Sequence, residues 1–156
     1  MNEVRFWDVV SLVNLPNSEV EGNTEAACGV LAKMSIEDIQ CFEQILIEKL
    51  YALDTLAHAS GSLEEPNDFF SHDGFLYKRC FVVANGKEYF ETVLQNPNKM
   101  PKDLAFELEE LLYLPQNAYE LKTGSKEFLP VTSKLSPETC SNSAGWAEGS
   151  EDSEDS

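Results

Sequence analysis

The run Phe75-Leu76-Tyr77-Lys78-Arg79-Cys80-Phe81-Val82-Val83 restricts the fold of this chain more than any other, because its apolar residues fall on most faces of a helix. A small domain can hide such a helix only at its centre, with other helices around it. The longer stretch from Phe69 to Phe90 also holds the densest aromatic run and the one adjacent His-Asp pair, with glycines at its punctuation points. Ser71 or Asp73 suits the N-cap, since a short oxygen-bearing side chain accepts a bond from the free N–H groups of a first turn. Asn85-Gly86 supplies a left-handed stop, and a shorter helix over 87–95 follows, ending at Asn96-Pro97.

Elsewhere apolar residues recur at three and four positions. Phe6, Val9, Val10 and Val13 mark a first helix over 2–15, flanked by Trp7 and stopped by Pro16-Asn17. Ser18-Glu19-Val20-Glu21 has the capping-box pattern and predicts a second helix with Ala27, Val30 and Leu31 inward. Ser35 with Asp38 predicts a third start, from which Ile39, Phe42, Leu46, Leu50 and Leu53 run on to an end near His58 or Ser60. Pro101 suits the first position of another helix, with Leu104, Leu108, Leu111 and Leu112 buried. Pro115 should kink or break it, and a last piece ends near Gly124. Period-two alternation is nearly absent. The expected fold is all-α, a single compact bundle-like domain of five to six helices over 1–130. From Val131 the residues Ser, Thr, Pro, Glu and Asp dominate, so 131–156 is expected to be a disordered acidic tail. Trp146 is the one tail residue able to dock on the domain or on a partner.

Charge narrows the function. The 156 residues include 28 acids and 11 bases, a formal net charge of −17. Each phosphate contact needs a Lys or Arg to replace released counterions, so nucleic acid is not the expected partner. An anionic membrane surface is disfavoured in the same way. The balance suits a basic protein drawn in by long-range attraction, or a surface charge that serves only solubility. Cys28, Cys41, Cys80 and Cys140 lie far apart with no Cys-x-x-Cys pair, which points to neither a zinc site nor a disulfide framework. Met1-Asn2-Glu3 lacks the basic region of a signal peptide, and no apolar run approaches bilayer length, so the cytoplasm is the expected location.

Several short blocks belong together. They are Phe6-Trp7, Met34-Ser35-Ile36-Glu37-Asp38-Ile39 with Phe42, Leu50-Tyr51, Ser71-His72-Asp73-Gly74-Phe75, and Phe81-Val82-Val83-Ala84-Asn85-Gly86. With the Asn96-Pro97 turn and Ala118-Tyr119, they resemble a bacterial domain-of-unknown-function family, the one numbered four-two-four-zero, over about residues 1–123. The resemblance implies a small, acidic, helical protein. His72 departs from it, standing where the resemblance implies a second acid, which argues against a role that needs two adjacent carboxylates there.

His72-Asp73 is the best catalytic candidate, because a carboxylate beside an imidazole can orient or charge it for general-base work or metal binding. The competing reading is a helix cap by Ser71 and Asp73 with His72 solvated. Asp54 and His58 stand four apart, a spacing that places two metal ligands on one helix face. No nucleophile elbow surrounds Ser11, Ser60 or Ser71, and no Gly-rich phosphate loop is present. Lys78-Arg79 is expected to pair with the many acids. Phe6-Trp7 and the stretch from Tyr113 to Tyr119 could line a groove, although aromatics at helical spacing are ordinarily core. The expectation is thus a non-enzymatic, cytoplasmic module of regulatory or immunity type that binds a basic protein. Its binding residues would be Trp7, Ser71, His72, Asp73, Tyr77 and Tyr113, and no cofactor is expected. The alternative is a small hydrolase-like or metal-binding enzyme using His72 and Asp73, with Asp54 and His58 nearby.

Overall fold

The computed structural model describes residues 1–65, 68–102, 105–128 and 133–147. In chain order the helices are α1 (Glu3–Val10), α2 (Glu25–Ala32), α3 (Ile36–Ala52), α4 (Leu56–Gly61), α5 (His72–Ala84) and α6 (Lys87–Gln95), then a 3-10 turn (Pro97–Lys99) and α7 (Glu110–Thr123). The helix expected at the centre is α5. Every residue from Leu76 to Ala84 except Tyr77 is buried, and so is Phe75 before them, which only a helix with neighbours on most sides can achieve. It packs on α3, α6 and α7, while α7 also packs on α2 and α3. Phe6, Val9 and Val10 of α1, Ile39, Phe42 and Leu46 of α3, and Leu111, Leu114 and Ala118 of α7 close one continuous core. The protein is all-α. Among the described residues, extended pairing is limited to one bridge between Asn14 and Asn23.

Local capping chemistry sets several of these boundaries. Ser71, not Asp73, caps α5, its hydroxyl accepting the Gly74 N–H at 2.8 Å. Gly86 takes φ 103°, a left-handed conformation that costs glycine little, and this lets α6 begin directly after α5. Ser35 caps α3 through the Asp38 N–H at 3.1 Å. Gly124, at φ 77°, ends α7.

Four expectations change. α1 stops at Val10, short of 15, and Val13 is buried from the turn that follows. No helix starts at Ser18: the Asn17 side chain accepts the N–H groups of Glu19 and Val20, an Asx turn that competes with a cap at Ser18 and takes one of its donors, that of Val20. The long third helix divides at Leu53-Asp54, because Thr55 caps a separate α4 through the His58 N–H at 3.0 Å. The helix expected from Pro101 begins only at Glu110; Leu108 instead donates its N–H to the Tyr77 carbonyl across α5. Pro115 therefore lies in the second turn of α7, where its ring removes a single backbone bond and the helix continues to Thr123. Leu104 lies outside the described residues.

Part of the tail is described too. Residues 133–147 pack on the domain, with Trp146 against its core. The remainder, 131–132 and 148–156, lies outside the described residues. Replacing Ser71 with alanine is expected to lower the unfolding free energy by about 1 kcal/mol, and Asp73→Ala by no more than about 0.5 kcal/mol, in urea titrations. Equal losses would contradict the assignment of the cap.

Candidate functional site

Asp73 and Tyr77 stand one turn apart on α5 and face Tyr113 of α7 across a cleft of about 310 Å³. Leu46 and Leu50 of α3 and Leu76 of α5, all buried, form its floor. Pro137 closes one end, and the carboxylates of Asp73, Glu138 and Glu43 stand at the rim. Among the described residues no lysine or arginine lines it. The two tyrosines are fixed by one acid: Glu109 accepts the Tyr113 hydroxyl at 2.8 Å and the Tyr77 hydroxyl at 3.1 Å. Desolvation, then Glu109 and the charge of Asp73, push Tyr77 up to about 12. The hydrogen bond to Glu109 raises Tyr113 in the same direction. Both phenols are therefore neutral near pH 7, and both residues line the cleft. Beyond Tyr77 a second, more polar cleft of about 430 Å³ lies against the 16–22 loop, bordered by Glu107, Glu109 and Glu110.

Other residues expected at the site are elsewhere. Trp7 packs between Phe6 and Phe90, with Lys49 6.0 Å from its ring centroid, and is part of the core edge. Ser71 is engaged as the cap. His72 is exposed and stacks on Phe70 at 6.1 Å, while Asp73 turns to the cleft, so the pair forms no dyad. Tyr119 packs on Phe128 instead of lining the cleft.

Asp54 and His58 do not share a helix face. Asp54 is fully buried in the break between α3 and α4 and, among the described residues, accepts donors from the C-terminal segment alone. These are the backbone N–H groups of Cys140 at 3.0 Å and Asn142 at 2.9 Å, the Ser141 hydroxyl at 3.3 Å and the Trp146 indole at 2.9 Å. His58 uses both ring nitrogens. Nε2 lies 2.9 Å from the Val93 carbonyl, which can only accept, so it carries the proton, and Nδ1 receives the Thr55 hydroxyl at 2.7 Å. The Nδ1 lone pair of His58 is thus engaged, and Asp54 is surrounded by hydrogen-bond donors and not by other metal ligands among the described residues. Among the described residues no three His, Cys, Asp or Glu side chains converge to hold a metal ion.

Arg79, expected to pair with acids, is instead fully buried and bonds no acid among the described residues. Its guanidinium donates to the Leu50 carbonyl at 2.8 Å and the Thr139 hydroxyl at 3.1 Å and lies 4.6 Å from the Phe75 ring centroid, while Nε has no hydrogen-bond partner among the described residues. Burial lowers its pKa, and the nearby charge of Asp54 opposes that shift. The signal available in the sequence was the Asp54-Thr55 pair, two cap-forming residues placed in the middle of an apolar helical run.

A family model described as "Protein of unknown function (DUF4240)" matches residues 1–121. The chain belongs to this family. No curated protein and no solved structure matches it significantly. Asp54, Asp73, Tyr77, Arg79 and Tyr113 fall inside the DUF4240 region, whereas Pro137, Glu138 and Trp146 lie beyond it.

Burial holds the His58 pKa below its ordinary 6.5, with the bond to Val93 opposing the shift. The unfolded chain therefore takes up the proton first. The stability contributed by neutral His58 is complete above pH 6.5 and is lost as pH falls through the window below it. Urea unfolding should show this fall between about pH 7 and about pH 5, and His58→Gln should flatten it. An unchanged slope in the variant would show that other groups carry the effect.

Proposed function

We propose that this protein is a non-enzymatic interaction module that binds a basic protein, seating one of its lysine or arginine side chains in the cleft between α3, α5 and α7. The observation that carries this reading is the convergence of Asp73, Tyr77 and Tyr113 on an apolar floor with an anionic rim. A long cationic side chain matches that layout, its methylene stem covering Leu46 and Leu76 while its head meets Asp73 and Glu138. The tyrosine rings add a face attractive to cations. The net charge of −17 would steer such a partner inward, as an acidic cover is drawn to a cationic site in regulatory or immunity-type complexes. Nucleic acid and anionic membrane fit that charge poorly. Among the described residues no helix is long and apolar enough to cross a membrane. The four cysteines are free, which suits the reducing cytoplasm. The enzyme alternative draws no support from His72, which is exposed and apart from Asp73.

The test is affinity capture from a lysate of the source cell at low and high salt, comparing wild type with the Asp73→Asn/Glu138→Gln double variant. One basic protein should be held at low salt, released at high salt, and bound roughly 10-fold more weakly by the variant. A partner held equally by the variant and indifferent to salt would overturn the reading.

A further inference from the structure

The Asp54 carboxylate and the rings of Phe70 and Phe75 belong to the DUF4240 region, and the segment that docks on them comes from beyond it. The indole of Trp146 stacks on Phe70 at 6.0 Å and meets Phe75 edge-on at 6.3 Å, while its N–H reaches Asp54. Alternate backbone N–H groups, those of Cys140 and Asn142, converge on the same carboxylate. The Asn142 side chain donates to the Tyr51 carbonyl at 3.2 Å, and the Thr139 hydroxyl to the His72 carbonyl at 2.7 Å. Gly145 passes so close that a Cβ would lie 2.9 Å from Thr55 Cγ2 and 3.0 Å from the Asp54 carbonyl. This arrangement reads main-chain direction, residue size and one aromatic anchor, the same features by which domains read short peptides.

The docked segment is built like a ligand. It contributes one large apolar side chain and a set of directional bonds, with Glu138 and Cys140 exposed and Cys140 in the left-handed region at φ 73°. A non-glycine residue accepts that conformation at some cost, which the bonds to Asp54 offset. The seat also defines what it accepts. Arg79 already supplies a positive charge near Asp54, so the remaining demand is for neutral N–H and O–H donors together with an indole-sized ring.

We propose that the seat formed by Tyr51, Asp54, Phe70 and Phe75 is a peptide-recognition site for a tight turn followed by an indole. The chain's own residues 139–146 occupy it in cis, and a partner segment of the same form binds by displacing them. The cis segment enjoys a high effective concentration, so it keeps weak ligands out and yields only to a well-matched turn. Displacement also withdraws Pro137 and Glu138 from the end of the cleft described above. The proposal does not depend on what that cleft binds.

The experiment uses the full chain carrying Gly145→Val and Trp146→Ala, which disrupts the cis segment and leaves every seat residue intact. The probe is a fluorescein-labelled synthetic peptide of residues 137–147, followed by anisotropy. The variant should bind it about 100-fold tighter than wild type, and adding Asp54→Asn should remove that gain. A folded variant that binds the peptide no better than wild type would overturn the proposal and make the segment a fixed part of the fold. If the double variant fails to fold, the same peptide unlabelled and in excess over wild type decides the matter by hydrogen exchange. Faster exchange of the Cys140 and Asn142 amides is the expected sign of displacement, and unchanged exchange would contradict it.

Discussion

A carboxylate and a guanidinium, Asp54 and Arg79, share the interior of this domain without solvent contact and without forming a direct ion pair among the described residues. Taking either charge out of water costs several kcal/mol unless protein dipoles replace the lost hydration. For Asp54 the replacement comes from residues 140–146, through two backbone N–H groups, a hydroxyl and an indole. Arg79 finds one acceptor in the Leu50 carbonyl and the other in Thr139 of the same segment. The C-terminal segment thus acts as the solvent for both charges. That accounts for its docking although its composition offers little apolar surface.

α5 turns this arrangement into a site. His72, Phe75 and Arg79 recur at three and four residues and form the face under the segment. Asp73, Leu76 and Tyr77, rotated by about one residue, form the face toward α3 and α7. The segment that satisfies the first face brings Pro137 and Glu138 to the edge of the second. Seat and cleft are therefore neighbours on one buried helix, and Ser71, by fixing where that helix starts, sets the register of both.

What could be read in advance was local. The all-round apolar run identified α5 as central, and the caps at Ser35 and Ser71, the limits of α6 and the stop at Gly124 each depend on residues within one turn of each other. Asp73, Tyr77 and Tyr113 were named from the sequence and do share a cleft, whereas Trp7, Ser71 and His72 were named and do not. The misreadings have specific causes. At Ser18 a neighbouring asparagine formed a competing turn that took the Val20 N–H a cap would use. At Asp54 the controlling partners lie 86 to 92 residues away in sequence, so periodicity alone made a helical metal-ligand pair out of a buried acceptor and a buried neutral imidazole. Arg79 misled for the same reason, since its acceptors are a carbonyl and a hydroxyl brought in by tertiary structure.

Hydrogen exchange read at single amides in the wild type and in Asp54→Asn tests the central role of this carboxylate most directly. In the wild type the Cys140 and Asn142 amides should be protected well above the rates of an open chain. In the variant that protection should collapse, while amides in the middle of α5 remain slow to exchange. Protection of Cys140 and Asn142 that survives the loss of the carboxylate would contradict the account, because something other than Asp54 would then hold the segment in place.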